Sequence, residues 1–110
     1  MTQTTRRRVP RRTFEASVGV LHAGKYFIGK SLQVGEGGMS LISDFLKPGD
    51  RVVITFQIPE GSLVCVRGLI RYLEGADAMS VGIQFENLEF HFKRELRNFV
   101  ARATQDSIFA

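Results

Sequence analysis

Residues 14–85 alternate apolar and polar side chains in short runs, and each run ends in a tight-turn signal. A period of two sends successive side chains to opposite faces of a strand, so this pattern restricts the chain to half-buried strands joined by hairpins. FEASVGVL (14–21) is apolar at Phe14, Ala16, Val18 and Val20; Ala23-Gly24 marks a turn, and KYFIGKSLQV (25–34) follows. GGMSLIS (37–43) puts Met39 and Leu41 on one face. Lys47-Pro48-Gly49-Asp50 has Pro and Gly at the two central positions of a type II turn. RVVITFQI (51–58) sets Val52, Ile54 and Phe56 opposite Val53, Thr55 and Gln57, and Pro59-Glu60-Gly61-Ser62 turns the chain again. In the long run LVCVRGLIRYL (63–73), Gly68 predicts a bend or bulge. Glu74-Gly75-Ala76-Asp77 is the last turn and MSVGIQF (79–85) the last strand. Six or so strands at this spacing predict a mainly β fold, a closed or nearly closed six-stranded antiparallel barrel.

The period then changes. Phe92, Leu96, Phe99, Val100 and Ala103 form one helical stripe, predicting a helix over 88–104 that acts as a lid on one end of the barrel. Asn87 is the expected N-cap, with Glu86 and Glu89 near the positive end of the dipole. Lys93, Arg94, Arg97 and Arg102 fall mostly on the wet face.

The charge is unevenly placed. Of 15 Lys and Arg, five are arginines within the first twelve residues (Arg6, Arg7, Arg8, Arg11 and Arg12), and that stretch holds no acid. The rest of the chain carries ten basic and 11 acidic side chains, so it is nearly neutral. The division expected is a flexible basic arm over 1–12, a barrel with its helix over 13–104 and a tail over 105–110. A length of 110 residues suits one domain with a real core. The single cysteine, Cys65, excludes an intrachain disulfide and reads as a buried strand thiol in a reducing compartment. No apolar run reaches the roughly 20 residues that span a bilayer, and no apolar segment follows the arginines as in a secretory signal. These features predict a cytoplasmic protein without membrane insertion.

The residue spacings for catalysis are missing. His22 and His91 lie far apart, and neither HExxH, CxxC nor GxSxG occurs. Glu15, Glu36, Asp44, Asp50 and Glu74 sit near turns or strand ends, where acids are ordinary solubilising residues. The expectation is no enzyme, no catalytic residue, no metal and no cofactor.

Binding is better supported. Guanidinium is planar and forked, so arginine grips phosphate bidentately and stacks on flat bases. Pro10 keeps Val9 extended, which lets arginines four apart reach around a compact polyanion. Gln33-Val34-Gly35-Glu36-Gly37-Gly38 puts three glycines within four residues, a backbone able to turn sharply and offer N–H groups to anionic oxygens.

Arg7 and Arg11 form an RxxxR arm, QVGEGG stands where a (D/N)xSxxG turn would follow the second strand, and VGIQFENL (81–88) precedes the helix. In that order and spacing, residues 6 to about 103 resemble the PilZ domain, a family that commonly binds the bacterial second messenger cyclic di-GMP. The resemblance implies a PilZ-type split barrel and a ligand site at Arg6, Arg7, Arg11, Gln33, Gly35, Gly37 and Gly38. Gln33 and Gly35 depart from the family's Asp or Asn and Ser. Gln33 keeps an amide on a longer stem, while Gly35 lacks a hydroxyl whose hydrogen bond is worth about 0.5–1.5 kcal/mol.

The expected function is a cyclic di-GMP receptor that signals through an unidentified protein effector. The alternatives are a degenerate PilZ-like interaction module without nucleotide binding, and a small barrel that binds RNA or DNA. The last is disfavoured because a nucleic-acid platform exposes aromatics among basic residues. The arm is expected to order on the ligand, at a backbone entropy cost on the order of 6–12 kcal/mol for six residues. Arg6, Arg8 and Arg12 exceed what one ligand needs; they either solvate the arm or, with Arg6 foremost, hold a second intercalated molecule.

Overall fold

The computed structural model describes residues 10–75, 77 and 79–109. Seven strands and one helix run in the order β1 (Arg12–Thr13), β2 (Ser17–His22), β3 (Lys25–Val34), β4 (Gly38–Ile42), β5 (Arg51–Gln57), β6 (Leu63–Glu74), β7 (Ser80–Glu86) and α1 (Phe90–Phe109). The strands are ordered β1-β3-β2-β5-β6-β7-β4, and β4 pairs back onto β3. Six antiparallel strands therefore close into a barrel, which leaves no long unpaired edge. The short β1 lies beside Gln33 and Val34, beyond the part of β3 that β2 covers. At the step between β1 and β2 the buried Ser31 hydroxyl donates to the Phe14 carbonyl and accepts from the Ala16 amide, so it bridges the break in the ladder.

Alternation delivers the core. Val18, Val20, Met39, Leu41, Ile54, Val64, Ile70, Val81 and Ile83 all point inward and are buried. Leu88, Leu96 and Phe99 join that cluster from α1 and the turn before it. Phe14 meets both Phe56 and Phe99 edge-on at 6.0 Å, and Phe56 stacks on Phe85 at 5.8 Å. The helix thus covers an aromatic end of the barrel, as the stripe predicts. Glu95 holds it to the β5–β6 turn by accepting from the Ser62 amide (2.9 Å) and hydroxyl (2.6 Å).

Several local expectations need correction. Cys65 is exposed: Val64 and Val66 take the inward positions of β6, so the thiol between them faces out. The β-irregularity of β6 falls between Ile70 and Tyr72, one turn of the pleat beyond Gly68. Gly68 instead makes room for Ile83, whose Cγ2 would lie 2.5 Å from any Cβ there. The helix begins at Phe90, and the Glu89 carbonyl accepts its first i→i+4 bond from Lys93. Glu89 is therefore the N-cap, while Asn87 serves the preceding turn with a left-handed φ of 58°. The helical backbone continues through residues 105–109, which the sequence assigns to a tail. The Ala23-Gly24 hairpin has φ of 51° and 79°, the left-handed pair of a two-residue turn.

Candidate ligand-binding site

Arg12 and Thr13 pair with Val34 and Gln33, so the boundary between arm and barrel falls inside β1. This pairing lays the end of the arm across the QVGEGG turn. Arg11 is mostly enclosed: its Nη1 donates to the Ser40 hydroxyl at 2.9 Å and lies 3.8 Å from the Glu74 carboxylate. Arg12 turns the other way. It donates to the Phe99 carbonyl at 2.8 Å, and its guanidinium lies 4.1 Å from the Phe99 ring centroid. Arg11, just before β1, faces the turn, while Arg12, the first residue of β1, ties the arm to α1.

The glycines serve this close approach. A Cβ on Gly38 would overlap the Ile83 carbonyl of β7 and sit 3.1 Å from Arg11 Nη2. A Cβ on Gly35 would overlap the Pro10 carbonyl oxygen and sit 3.1 Å from Arg11 Cγ. The Gly35 amide donates to the Gly38 carbonyl at 2.9 Å, so that amide is not open to an anion. The exposed Gly37 uses its carbonyl to accept from the Phe85 amide, which fixes the turn to β7. Arg11, Gly35 and Gly38 are thus in mutual contact. Gln33 lies on the other side of this group, opposite Ser40 and Thr13 in the sheet. Arg6 and Arg7 lie outside the described residues.

A cleft of about 640 Å³ opens beside Arg11, lined by Thr13, Glu15, Gln33, Ser40, Tyr72 and Glu74, among others. Ligand pockets typically occupy roughly 300–1,000 Å³. Of the predicted glycines none lines it; they shape the turn that delivers Arg11 to two of its lining residues. Ser40, Tyr72 and Glu74 are the residues that sequence reasoning missed. Ser40 had a visible signal, a polar residue between the inward Met39 and Leu41. Tyr72 and Glu74 had none, because only closure of β6, β7 and β4 brings them to β3. Gly82 leaves the space that the Tyr72 ring occupies, and Tyr72 lines the cleft there.

Glu36 and Glu74 are not mere solubilising acids. Glu74 pairs with Arg11, and Glu36, at the centre of the turn, accepts from Arg97 of α1 at 2.8 Å. Hydrogen bonding from Arg97 holds the Glu36 carboxyl below its ordinary value; desolvation opposes this, and the charges of Arg97 and Lys93 assist it. Because the folded value is the lower one, the unfolded chain takes up the proton first as pH falls. The stabilisation is complete above the ordinary glutamate range, about 4.3, and is lost as pH drops through the folded value. An Arg97→Gln variant should melt slightly below wild type at pH 6, and the two melting curves should converge toward pH 3. A gap that persists at pH 3 would mean Arg97 acts through packing.

The motif's missing serine has a steric reason. Replacing Gly35 by Ser is compatible with its φ, which is not left-handed, but the side chain needs the place of the Pro10 carbonyl. Gly35→Ser should therefore push residues 10–12 off the turn. Amide exchange at the Arg12–Val34 pairing should accelerate severalfold, and unchanged exchange would mean that the arm adjusts without leaving. Restoring the common motif with Gln33→Asp and Gly35→Ser carries this cost in addition to any hydroxyl gained.

The chain matches the family model for the PilZ domain over residues 5–102. No curated protein matches it significantly. Among solved structures it is similar to the inhibitor of motility of Bacillus subtilis (MotI/DgrA), with a TM-score of 0.78 and 14% identity over 92% of this chain. It is also similar to the PilZ domain of YcgR from Escherichia coli, solved with c-di-GMP, with a TM-score of 0.68 and 12% identity over 93% of this chain and 94% of that domain. The PlzA protein of Borreliella burgdorferi, solved in complex with c-di-GMP, gives a TM-score of 0.67 and 12% identity over 88% of this chain. This chain spans 52% of the Bacillus protein and 42% of the Borreliella protein. Identities this low speak to the fold alone. The family match covers nearly the whole sequence, from the arginine arm through the barrel and most of α1, and on that ground the chain belongs to the PilZ domain family.

Proposed function

We propose that this chain is a receptor for cyclic di-GMP, a binding module rather than an enzyme, and that it acts through a protein partner. The observation that carries the reading is the placement of Arg11. Its guanidinium is held between the Gly38 backbone, the Ser40 hydroxyl and Glu74, at the edge of the cleft that Gln33 and Tyr72 line. Each group suits part of the ligand. A guanidinium donates in parallel to guanine O6 and N7 or to a phosphate. The Tyr72 ring is a stacking face for a base. Gln33 offers an amide, and Glu74 a carboxylate able to accept from the guanine amino group. Arg7, Arg6 and the turn at Gly35 and Gly37 complete the site in this reading. Family membership and the two c-di-GMP-bound neighbours support the ligand's identity.

Arg12 is committed to Phe99, so the surplus guanidinium for a second ligand molecule falls to Arg6 and Arg8. Among the described residues no helix is long and apolar enough to cross a membrane. A second reading, an interaction module without nucleotide, draws on one observation: Arg11 already has protein partners in Ser40 and Glu74, which a ligand must displace or share. Calorimetric titration with cyclic di-GMP separates the two, with GTP and a single-stranded oligonucleotide as controls. Saturable heat with the cyclic dinucleotide alone is the expected result. No heat with it would overturn the receptor reading, and oligonucleotide binding of equal strength would favour a nucleic-acid function.

A further inference from the structure

The outer face of the barrel carries an unusual segregation of side chains. Strand register sets Tyr26, Leu21, Val53 and Arg67 in one row across β3, β2, β5 and β6. The next row contains Ile28, Gly19, Thr55 and Cys65. Tyr26 lies flat over Gly19, where any Cβ would meet its hydroxyl at 2.5 Å. Tyr26 is 65% exposed, Ile28 62% and Leu21 42%. Apolar side chains therefore form one contiguous area on a wet sheet face, where alternation calls for polar ones.

Cations flank that area. Lys30 stands beyond Ile28 on β3, and Arg51, Arg67 and Arg71 line the β5–β6 side. Two shallow clefts, of about 320 and 530 Å³, share Arg51, Arg67 and Glu86 as a common wall. Glu86 is the face's one carboxylate among these residues, and Arg51 already holds it with two hydrogen bonds of 2.8 Å. Arg71 donates to Gln84 at 2.8 Å, which leaves its charge unneutralised. Four cations and one paired acid thus crowd a face of a barrel whose sequence after residue 12 is balanced, ten basic against 11 acidic.

We propose that this face is the docking surface for an acidic protein segment that carries aliphatic or aromatic side chains between its carboxylates. The inference rests on the reading that the chain works through a protein partner. Charge complementarity selects the occupant: an apolar centre rimmed by arginines fits a segment with the inverse pattern. A second copy of this chain fits poorly, because a two-fold pairing would set this face's surplus positive charge against an equal one. Nucleic acid fits less well, since Tyr26 is the one aromatic ring of this patch and its neighbours Leu21, Ile28 and Val53 offer no stacking face for successive bases. The same strand, β6, carries Arg67 on this face and Tyr72 and Glu74 in the nucleotide cleft, with the irregularity between them.

The test is an NMR titration of the labelled full chain with a 14-residue peptide of alternating Glu and Leu. Controls are the same peptide with Lys for Glu, a poly-Glu peptide and a single-stranded oligonucleotide. Saturable shifts at Leu21, Tyr26, Ile28 and Arg67 with the Glu/Leu peptide alone are expected, and Ile28→Ser and Arg67→Glu should each weaken it at least tenfold. Both residues are exposed, so the fold should survive, as an unchanged melting curve would verify. Shifts centred elsewhere, equal binding of the Lys peptide or the oligonucleotide, or the same shifts on raising protein concentration alone would overturn the proposal. Calorimetry of the two variants should give wild-type affinity for cyclic di-GMP; a loss there would assign the face to the nucleotide site and overturn it as well. A wild type that binds the peptide in this way but not the nucleotide would uphold the surface and overturn the receptor reading.

Discussion

Arg11→Ala is expected to weaken cyclic di-GMP binding about 100-fold or more. In the proposed site this guanidinium supplies a bidentate, charge-assisted contact, worth roughly 1–3 kcal/mol for the guanine edge alone. Its removal also takes one positive charge from beside the Glu74 carboxylate, which makes the site less favourable to a phosphate. Together these reach about 3 kcal/mol, or two orders of magnitude in affinity. The sequence suggests that such a change would spare stability, since it assigns Arg11 to a flexible arm. The structure alters that expectation. The Arg11 side chain is only 11% exposed and bonded to Ser40, so its loss should cost about 1–2 kcal/mol and lower the melting temperature by several degrees. Arg11→Lys should recover part of the stability but little of the affinity, because an ammonium lacks the fork. Binding within threefold of wild type in Arg11→Ala would remove this residue from the site.

The largest loss of stability is expected at Gly38. A methyl group there overlaps the backbone carbonyl of Ile83, an atom fixed by the β4–β7 ladder, and crowds Arg11 from the other side. The Arg11 tip can shift, but the Ile83 carbonyl cannot turn away as a side-chain tip would. Overpacking of this kind costs about 3 kcal/mol, which corresponds to on the order of 10–20 °C in melting temperature. Gly29→Ala is the matched control. Its nearest neighbour is the end of the Leu41 side chain at 2.9 Å, which can rotate, so it should lose under about 1 kcal/mol. Equal melting temperatures for the two variants would contradict the close approach of β4 and β7. In Gly38→Ala, nucleotide binding should fall with stability, since Arg11 loses its seat.

Local pattern was enough to locate most of the architecture. The alternation at Val52, Ile54 and Phe56 and at Val64 and Val66, with turns at Ala23-Gly24 and Pro48-Gly49, foretells the strands and their inward faces. The helical stripe at Leu96 and Phe99 foretells the lid, because period and turn chemistry are properties of a few neighbouring residues. The family resemblance rests on the same kind of local information, the spacing of Arg7, Arg11 and QVGEGG, and it names the turn at which Arg11 is found. Cys65 shows the limit: its apolar neighbours suggest burial, but in a strand they are what sends it outward.

What the linear chain leaves undecided is who meets whom. Glu74 and Arg11 are 63 positions apart, and only the closure of β3, β4, β7 and β6 into a ring sets them side by side. Glu36 and Arg97 meet because α1 folds back across the barrel's end, and Arg12 finds the Phe99 carbonyl for the same reason. The reason that Gly35 lacks a side chain is likewise tertiary, since the Pro10 carbonyl occupies the space. Side-chain alternation and turn propensity are encoded within a few bonds and can be read one residue at a time. The pairing of distant charges depends on strand order and register, which are set by how the whole core closes.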